Sequence, residues 1–327
     1  MTPGISYQLC AARLIPSLAF LLFFAFIPVN AQTIVSEHCD EAKKTGLPVC
    51  EWSDPTQKPK GCVLLVHGLT QRGICLDSLA RIIVKDGFFV WAIDQRGHGY
   101  WHFKQSAGAD GYTCDFNRST DDIVELVRTI KSENPNVPLY CIGESAGAAV
   151  IAKAAVKAPD AIDGLVLCSA GVKGCHFHTM WVMHDLCTSA LHPISVMRYQ
   201  KLYASDNERD LQESMSDPCV RRYLTAREVL RVKNVVCGTA RVAKRLDPRI
   251  PILVLQGTVD HVLRPASASR IMHAARTSDK ALVMIPGCGH VMLGTNHLKP
   301  LVVSSINQWL NREDTVALAG ATLSSAQ

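Results

Sequence analysis

Leu139-Tyr-Cys-Ile-Gly143-Glu144-Ser145-Ala146-Gly147-Ala-Ala-Val150 is the stretch that decides the fold. Four residues of strand character run into a serine with a glycine two places to either side, and an alanine-rich stretch of helix character follows. A serine between a strand and a helix occupies a very tight turn, and small flanking residues let the backbone fold there without clash. Such a turn lifts the hydroxyl above a sheet and sets it at a helix N-terminus, where free N–H groups favour developing negative charge.

Runs like the one before Gly143 recur at Cys62–Val66, Phe88–Ile93, Leu165–Cys168, Ile252–Leu255 and Leu282–Ile285. Helix-like stretches at Leu76–Lys85, Ser119–Asn134, Ala146–Lys157 and Ala266–Arg276 lie between them, with Ser119 or Thr120 as the expected N-cap of the second. This alternation predicts an α/β protein with a mostly parallel central sheet flanked by helices. It fails between Val172 and Arg249, where broken amphipathic patterns predict an inserted helical cap. Of the 34 basic and 29 acidic residues, 13 and 8 lie in that insertion, which leaves 21 of each elsewhere. The net charge of +5 therefore belongs to the cap, whose basic face suits peripheral contact with an anionic lipid surface. Met180, Trp181, Met183 and Met197 in the cap are candidate substrate-lining residues, since flexible methionines suit an apolar channel.

The chain divides into a signal at residues 1–31, an N-terminal extension at 32–60, a core at 61–171 and 250–312, the cap at 172–249, and a tail at 313–327. The signal rests on Arg13, an uncharged run from Leu14 to Val29, and a small-residue end at Ala31. Cleavage there predicts export to a periplasm or the medium. Retention would leave a membrane anchor, but the 16-residue run falls short of the roughly 20 that a spanning helix needs.

A composition of 48% hydrophobic and 19% charged residues excludes a disordered scaffold, and the mixed charge excludes a dedicated nucleic-acid binder. Thirteen cysteines suit an exported chain. Cys62, Cys141 and Cys168 fall on strands and read as buried thiols, while Cys39 with Cys50, and pairs among Cys175, Cys187, Cys219 and Cys237, are the expected disulfides. No Cys-x-x-Cys occurs, and no metal or other cofactor is expected.

A serine nucleophile needs a base, and the base needs a carboxylate to orient it. Asp260 follows the strand at Ile252–Leu255 through a glycine turn, and His290 follows the last strand through Pro286-Gly-Cys-Gly289. Val66-His67-Gly68-Leu69 is a strand entering a turn that can aim an N–H back over the sheet, so Leu69 and Ala146 are the expected main-chain oxyanion donors. His98, in Asp94-Gln-Arg-Gly-His-Gly99, reads as a loop residue, because one imidazole suffices and His290 has the better position.

Together His67-Gly68, Asp94-Gln-Arg-Gly-His-Gly99, Gly143-Glu-Ser-Ala-Gly147, Asp260 and Gly289-His290 resemble the α/β-hydrolase superfamily, and within it the monoacylglycerol lipase and lysophospholipase group, also called serine aminopeptidase-like. The resemblance runs from Gly61 to Leu310 and departs from the group's usual pattern at Glu144, Ala148 and Tyr100, where His, Gly and Ser are common. It implies an α/β-hydrolase fold with its cap inserted after the sixth strand. It also implies a serine esterase that cleaves fatty-acid esters through an acyl-enzyme, the cap forming the acyl-binding wall. Two other readings stay open: a serine exopeptidase on the same triad, and an inactive hydrolase fold kept as a binding module.

Overall fold

The computed structural model of the chain describes residues 34–36, 39–172, 184, 192–199 and 208–311. One sheet runs in the order β1 (Ile34–Ser36), β2 (Val49–Ser53), β4 (Phe88–Ile93), β3 (Gly61–Val66), β5 (Leu139–Glu144), β6 (Gly164–Cys168), β9 (Ile252–Gly257) and β10 (Lys280–Ile285). From β4 to β10 every neighbouring pair is parallel, and β1 and β2 close one edge in antiparallel pairing. The six parallel strands are the apolar runs legible in the sequence, some of them longer: β5 continues to Glu144 and β9 to Gly257.

Alternate residues of these strands feed two apolar layers. Leu64, Val66, Trp91, Ile93 and Cys141 join α1 (Asp40–Thr45), α4 (Phe116–Glu133), α5 (Ala146–Lys157) and α9 (Ala266–Ala274) on one face. Val63, Leu65, Val90, Ala92 and Ile142 meet α2 (Asp77–Lys85) and α10 (Pro300–Leu310) on the other. Strands covered on both faces have no polar side to show, which is why they read as unbroken apolar runs. The short α3 (Gly99–Phe103) follows β4.

The start of α4 differs from the sequence expectation. Its N-cap is Asp115, whose carboxylate accepts the N–H groups of Asn117 (3.0 Å) and Arg118 (3.1 Å). The hydroxyls of Ser119 and Thr120 instead donate back to the carbonyls of Asp115 and Phe116 inside the first turns. A carboxylate holding two orphan donors outcompetes a hydroxyl further in.

Within the insertion, the described part holds a two-stranded ribbon of β7 (Ile194–Ser195) and β8 (Tyr223–Leu224), with α6 (Glu208–Ser216) between the two strands and α7 (Ala226–Cys237) and α8 (Thr239–Ala243) after them. A capping box opens α7, with Thr225 and Glu228 each satisfying the other's backbone N–H. Arg72 pairs with Asp217 at 3.0 Å, and Arg221 Nη1 donates to the carbonyl of Gly97 at 2.7 Å, so polar contacts tie this segment to loops of the core.

Cys62, Cys141 and Cys168 are buried on their strands. The expected Cys39–Cys50 disulfide is not formed: Cys39 turns its thiol toward the carbonyl of Val49, at 4.0 Å, and burial pushes that thiol up to about 12. Cys219 and Cys237 are likewise not bridged to each other, and their other candidate partners, Cys175 and Cys187, lie outside the described residues. The signal at 1–31 also lies outside them, and among the described residues no helix is long and apolar enough to cross a membrane.

Candidate active site

The register of the sheet brings the C-terminal ends of its strands to one edge: Val66 lies opposite Gly143, Glu144 opposite Cys168, and Gly257 opposite Ile285. Loops leaving that edge share one crevice, the usual place for a site in an open α/β sheet. Ser145 stands between β5 and α5 with φ 55° and ψ −113°, a left-handed strain that a non-glycine residue adopts only where its surroundings hold it.

Two glycines make that turn possible. A Cβ on Gly143 would stand 2.7 Å from the backbone of Gly147, and one on Gly147 would collide with the carbonyl oxygen of Val66. The elbow is therefore pressed against β3 and against its own helix, with Ala-rich α5 close to the sheet.

Ser145 Oγ lies 2.9 Å from His290 Nε2, and His290 Nδ1 lies 2.9 Å from Asp260 Oδ2. Asp260 is held in turn by Gln256 Nε2, which donates to Oδ2 at 3.0 Å, and by the N–H groups of Val262 and Leu263, which donate to Oδ1 at 2.9 Å each. Burial opposes ionisation of Asp260, but the charge and hydrogen bond of His290, with these donors, hold its carboxyl below the usual range. Burial alone would pull the His290 imidazole down. The charge and hydrogen bond of Asp260, joined by the charge of Glu144, leave it above its ordinary value. A buried hydroxyl on an imidazole backed by a carboxylate is the arrangement for base-assisted nucleophilic attack.

Ala146 opens α5, so its N–H belongs to the first turn, which has no intrahelical acceptor. Gly68 passes close to the elbow, since a Cβ there would be 3.6 Å from Ser145 Cβ, and Leu69 is the next residue of that loop. Thr70, next along, also carries a positive φ of 74°.

His98 is buried away from this chain, with Nδ1 3.2 Å from the carbonyl of Arg96 and its ring edge-on to His67. His67 has a role the sequence did not disclose: Nδ1 donates to the carbonyl of Gly68 while Nε2 accepts the N–H of Gln95, which fastens the loop after β4 to the loop after β3. Gln256 was also missed as a partner of the site, though a polar residue inside an apolar strand is the signal that marks it, and Glu144, expected in the elbow, has a side-chain role that the sequence does not disclose. Of the four candidate lining residues, Met197 is half-buried in the single turn Met197–Tyr199, and Met180, Trp181 and Met183 lie outside the described residues.

Among the described residues, Cys39, Glu41 and Glu51 have metal-ligand spacing. Burial pushes all three toward their neutral forms, whereas a metal needs ionised donors. None of them belongs to the Ser145 crevice.

A family described as "Serine aminopeptidase, S33" matches residues 57–296. A monoglyceride lipase of Mus musculus is 28% identical over 277 residues, which cover 83% of this chain and 88% of the relative. Among solved structures, a monoacylglycerol lipase of Paleococcus ferrophilus superposes with a TM-score of 0.63 at 20% identity, over 82% of this chain and 99% of that one. A soluble variant of monoglyceride lipase from Saccharomyces cerevisiae, in complex with a substrate analog, superposes with a TM-score of 0.66 at 18% identity, over 87% and 98%. These structural likenesses are likenesses of fold: a mostly parallel sheet flanked by helices, as in the α/β-hydrolases.

Proposed function

Because the chain belongs to the serine aminopeptidase S33 family, within the α/β-hydrolase fold, we propose that it is a serine hydrolase of carboxylic esters, acting on fatty-acid esters of the monoacylglycerol or lysophospholipid type. The observation that carries this reading is the continuous hydrogen-bonded chain from Ser145 through His290 to Asp260, with both contacts at 2.9 Å.

His290 takes the proton of Ser145 as the hydroxyl attacks the ester carbonyl, and Asp260 holds the imidazole in the tautomer that leaves Nε2 free to accept it. The N–H groups of Leu69 and Ala146 stabilise the tetrahedral oxyanion. His290 then returns the proton to the departing alcohol, which leaves an acyl-Ser145. Water, deprotonated by the same imidazole, releases the carboxylic acid and restores the hydroxyl.

The family description also favours an exopeptidase, which needs a carboxylate to hold the substrate's amine. The acid next to the nucleophile, Glu144, is 1% exposed and committed to backbone N–H groups, so it is not available for that task. The names of the curated relatives point the same way, toward glycerides. The amino-terminal segment acts in this reading as a cleaved export signal, and the basic cap holds the enzyme near anionic lipid.

The test compares hydrolysis of p-nitrophenyl esters of graded chain length, a monoacylglycerol and aminoacyl anilides by the mature chain and by Ser145→Ala. Ester turnover that Ser145→Ala abolishes is expected. Faster cleavage of anilides would establish the exopeptidase, and equal, negligible rates for both proteins on every substrate would leave a binding module. Amino-terminal sequencing of exported protein should find Gln32 first, and an intact Met1 would defeat the signal.

A further inference from the structure

Glu144 ends strand β5, directly before the strained Ser145, where a buried carboxylate has no water to solvate it. Its partners are the backbone of another loop. Oε1 accepts the N–H groups of Met292 (2.6 Å) and Leu293 (2.8 Å), and Oε2 accepts that of Gly294 (3.4 Å). Three successive N–H groups converging on one anion form a backbone nest, here filled by a side chain of the protein itself.

That nest begins two residues after His290. The same stretch is gripped elsewhere by Ser169 Oγ, which donates to the carbonyl of His290 at 2.6 Å, and by Gln71 Nε2, which donates to the carbonyl of Gly294 at 2.9 Å. Ser169 has a φ of 45°, so this hydroxyl too is presented from a constrained backbone. Among these three anchors, Glu144 alone carries a charge. Both of its oxygens meet donors, which is the partner set of an ionised carboxylate.

Burial pushes the Glu144 carboxyl up, opposed by these N–H groups and by His290. The other titratable groups near the pair are Asp260 after β9, Cys168 at the end of β6, and Cys288 in the loop after β10. Cys168 stays a neutral thiol because burial holds it well above its ordinary value. Asp260, through a direct hydrogen bond, and Glu144, through space, both favour the protonated imidazole.

We propose that Glu144 is a positioning residue for His290: its carboxylate clamps the loop that carries the imidazole and sets a second negative charge beside the ring. This rests on His290 being the general base of the ester reaction. The clamp couples nucleophile and base mechanically, because one end of it is the residue bonded to Ser145.

The test uses Glu144→Gln, which keeps the shape and removes the charge, and Glu144→Asp, which keeps the charge and shortens the reach. Each is followed by kcat and KM on p-nitrophenyl butyrate across pH, by fluorophosphonate titration of competent Ser145, and by NMR titration of the His290 ring. Expected for Glu144→Gln is a kcat per titrated site lowered about tenfold with KM little changed. The acid-limb midpoint and the ring titration should both fall by about one pH unit. Glu144→Asp should lose kcat but keep both midpoints.

Midpoints in Glu144→Gln equal to those of the wild type, whatever its melting temperature, would overturn the proposal. Should that variant not fold, the 13C shift of the Glu144 carboxyl in the wild type decides: an ionised group at neutral pH supports the clamp, and a protonated one overturns it. A wild type inactive on every ester would sink the ester reading, while the ring titration would still judge Glu144.

Discussion

Arg221 of the cap donates its main-chain N–H to the carbonyl of Thr70, at 3.0 Å, in the loop after β3 that also carries Leu69, the proposed oxyanion donor. Its side chain reaches the other way, donating to the carbonyl of Gly97 at 2.7 Å and pairing with Glu228 at 2.7 Å in a fully buried contact. One residue therefore braces two loops of the crevice against the cap. Arg221→Met should cost about 3–5 kcal/mol in urea unfolding, because it strands a buried carboxylate. Combining it with Glu228→Gln should cost clearly less than the sum of the two single changes. If Leu69 N–H is the oxyanion donor proposed above, turnover of the single variant should fall about tenfold as that loop loosens. An unfolding midpoint equal to that of the wild type would show that the pair contributes nothing.

Ser145→Ala and His290→Ala should each lower kcat by about 10^4 or more, and the double variant should be no worse than the poorer single one, since both groups serve the same proton transfer. Rates on a soluble ester decide this. Multiplying penalties would mean that the two side chains act independently.

The titration of the site predicts opposite trends for activity and stability. His290 is raised in the folded chain, so its stabilising contribution is complete below about pH 6.5, the unfolded value, and fades as pH rises through the higher folded value. The neutral imidazole that catalysis needs appears over that same interval. Activity should thus climb with a midpoint above about 6.5 while the excess melting temperature of wild type over His290→Ala shrinks. Asp260 is depressed, so its contribution holds above about 3.9 and is lost only as pH falls through its lower folded value. An acid limb centred below about 6.5 would contradict the raised imidazole.

Gly147→Ala should cost about 3 kcal/mol or more, and more than the same change at the solvent-facing Gly108, where a Cβ would meet nothing within 4 Å and only the backbone strain of its φ of 90° is at stake. Thermal unfolding of the two variants gives the comparison. Equal losses would mean that α5 can withdraw from β3 without penalty.

Local rules made much of this legible. Ser145, Asp260 and His290 each follow an apolar run through a turn, and strand ends in a parallel sheet share an edge, so their meeting could be read from order alone. Glu144 could be located but not understood, because its partners lie about 150 residues away and are backbone atoms, which carry no sequence signature. Strand β2, which lies between β1 and β4, was missed for a different reason: Val49-Cys-Glu-Trp-Ser mixes polar and apolar residues, and its pairing with β4 comes from tertiary docking. The Cys39–Cys50 pairing failed because closeness in sequence says nothing of where two side chains point once one residue precedes a helix and the other lies in a strand.

The thiols buried across the molecule turn it into its own unfolding gauge. Cys62, Cys141 and Cys168 lie within the sheet, and Cys114 lies where the cap meets the core, 3.1 Å from Arg221 Nη1. Burial raises all four above the ordinary thiol value, so an alkylating reagent, which attacks through the thiolate, marks each one only when its surroundings open. Pulse labelling followed by peptide mass mapping would therefore read the sequence of opening. Cys114 marked ahead of the sheet trio would mean a cap that peels away from an intact sheet and its flanking helices, and simultaneous marking would mean one cooperative unit.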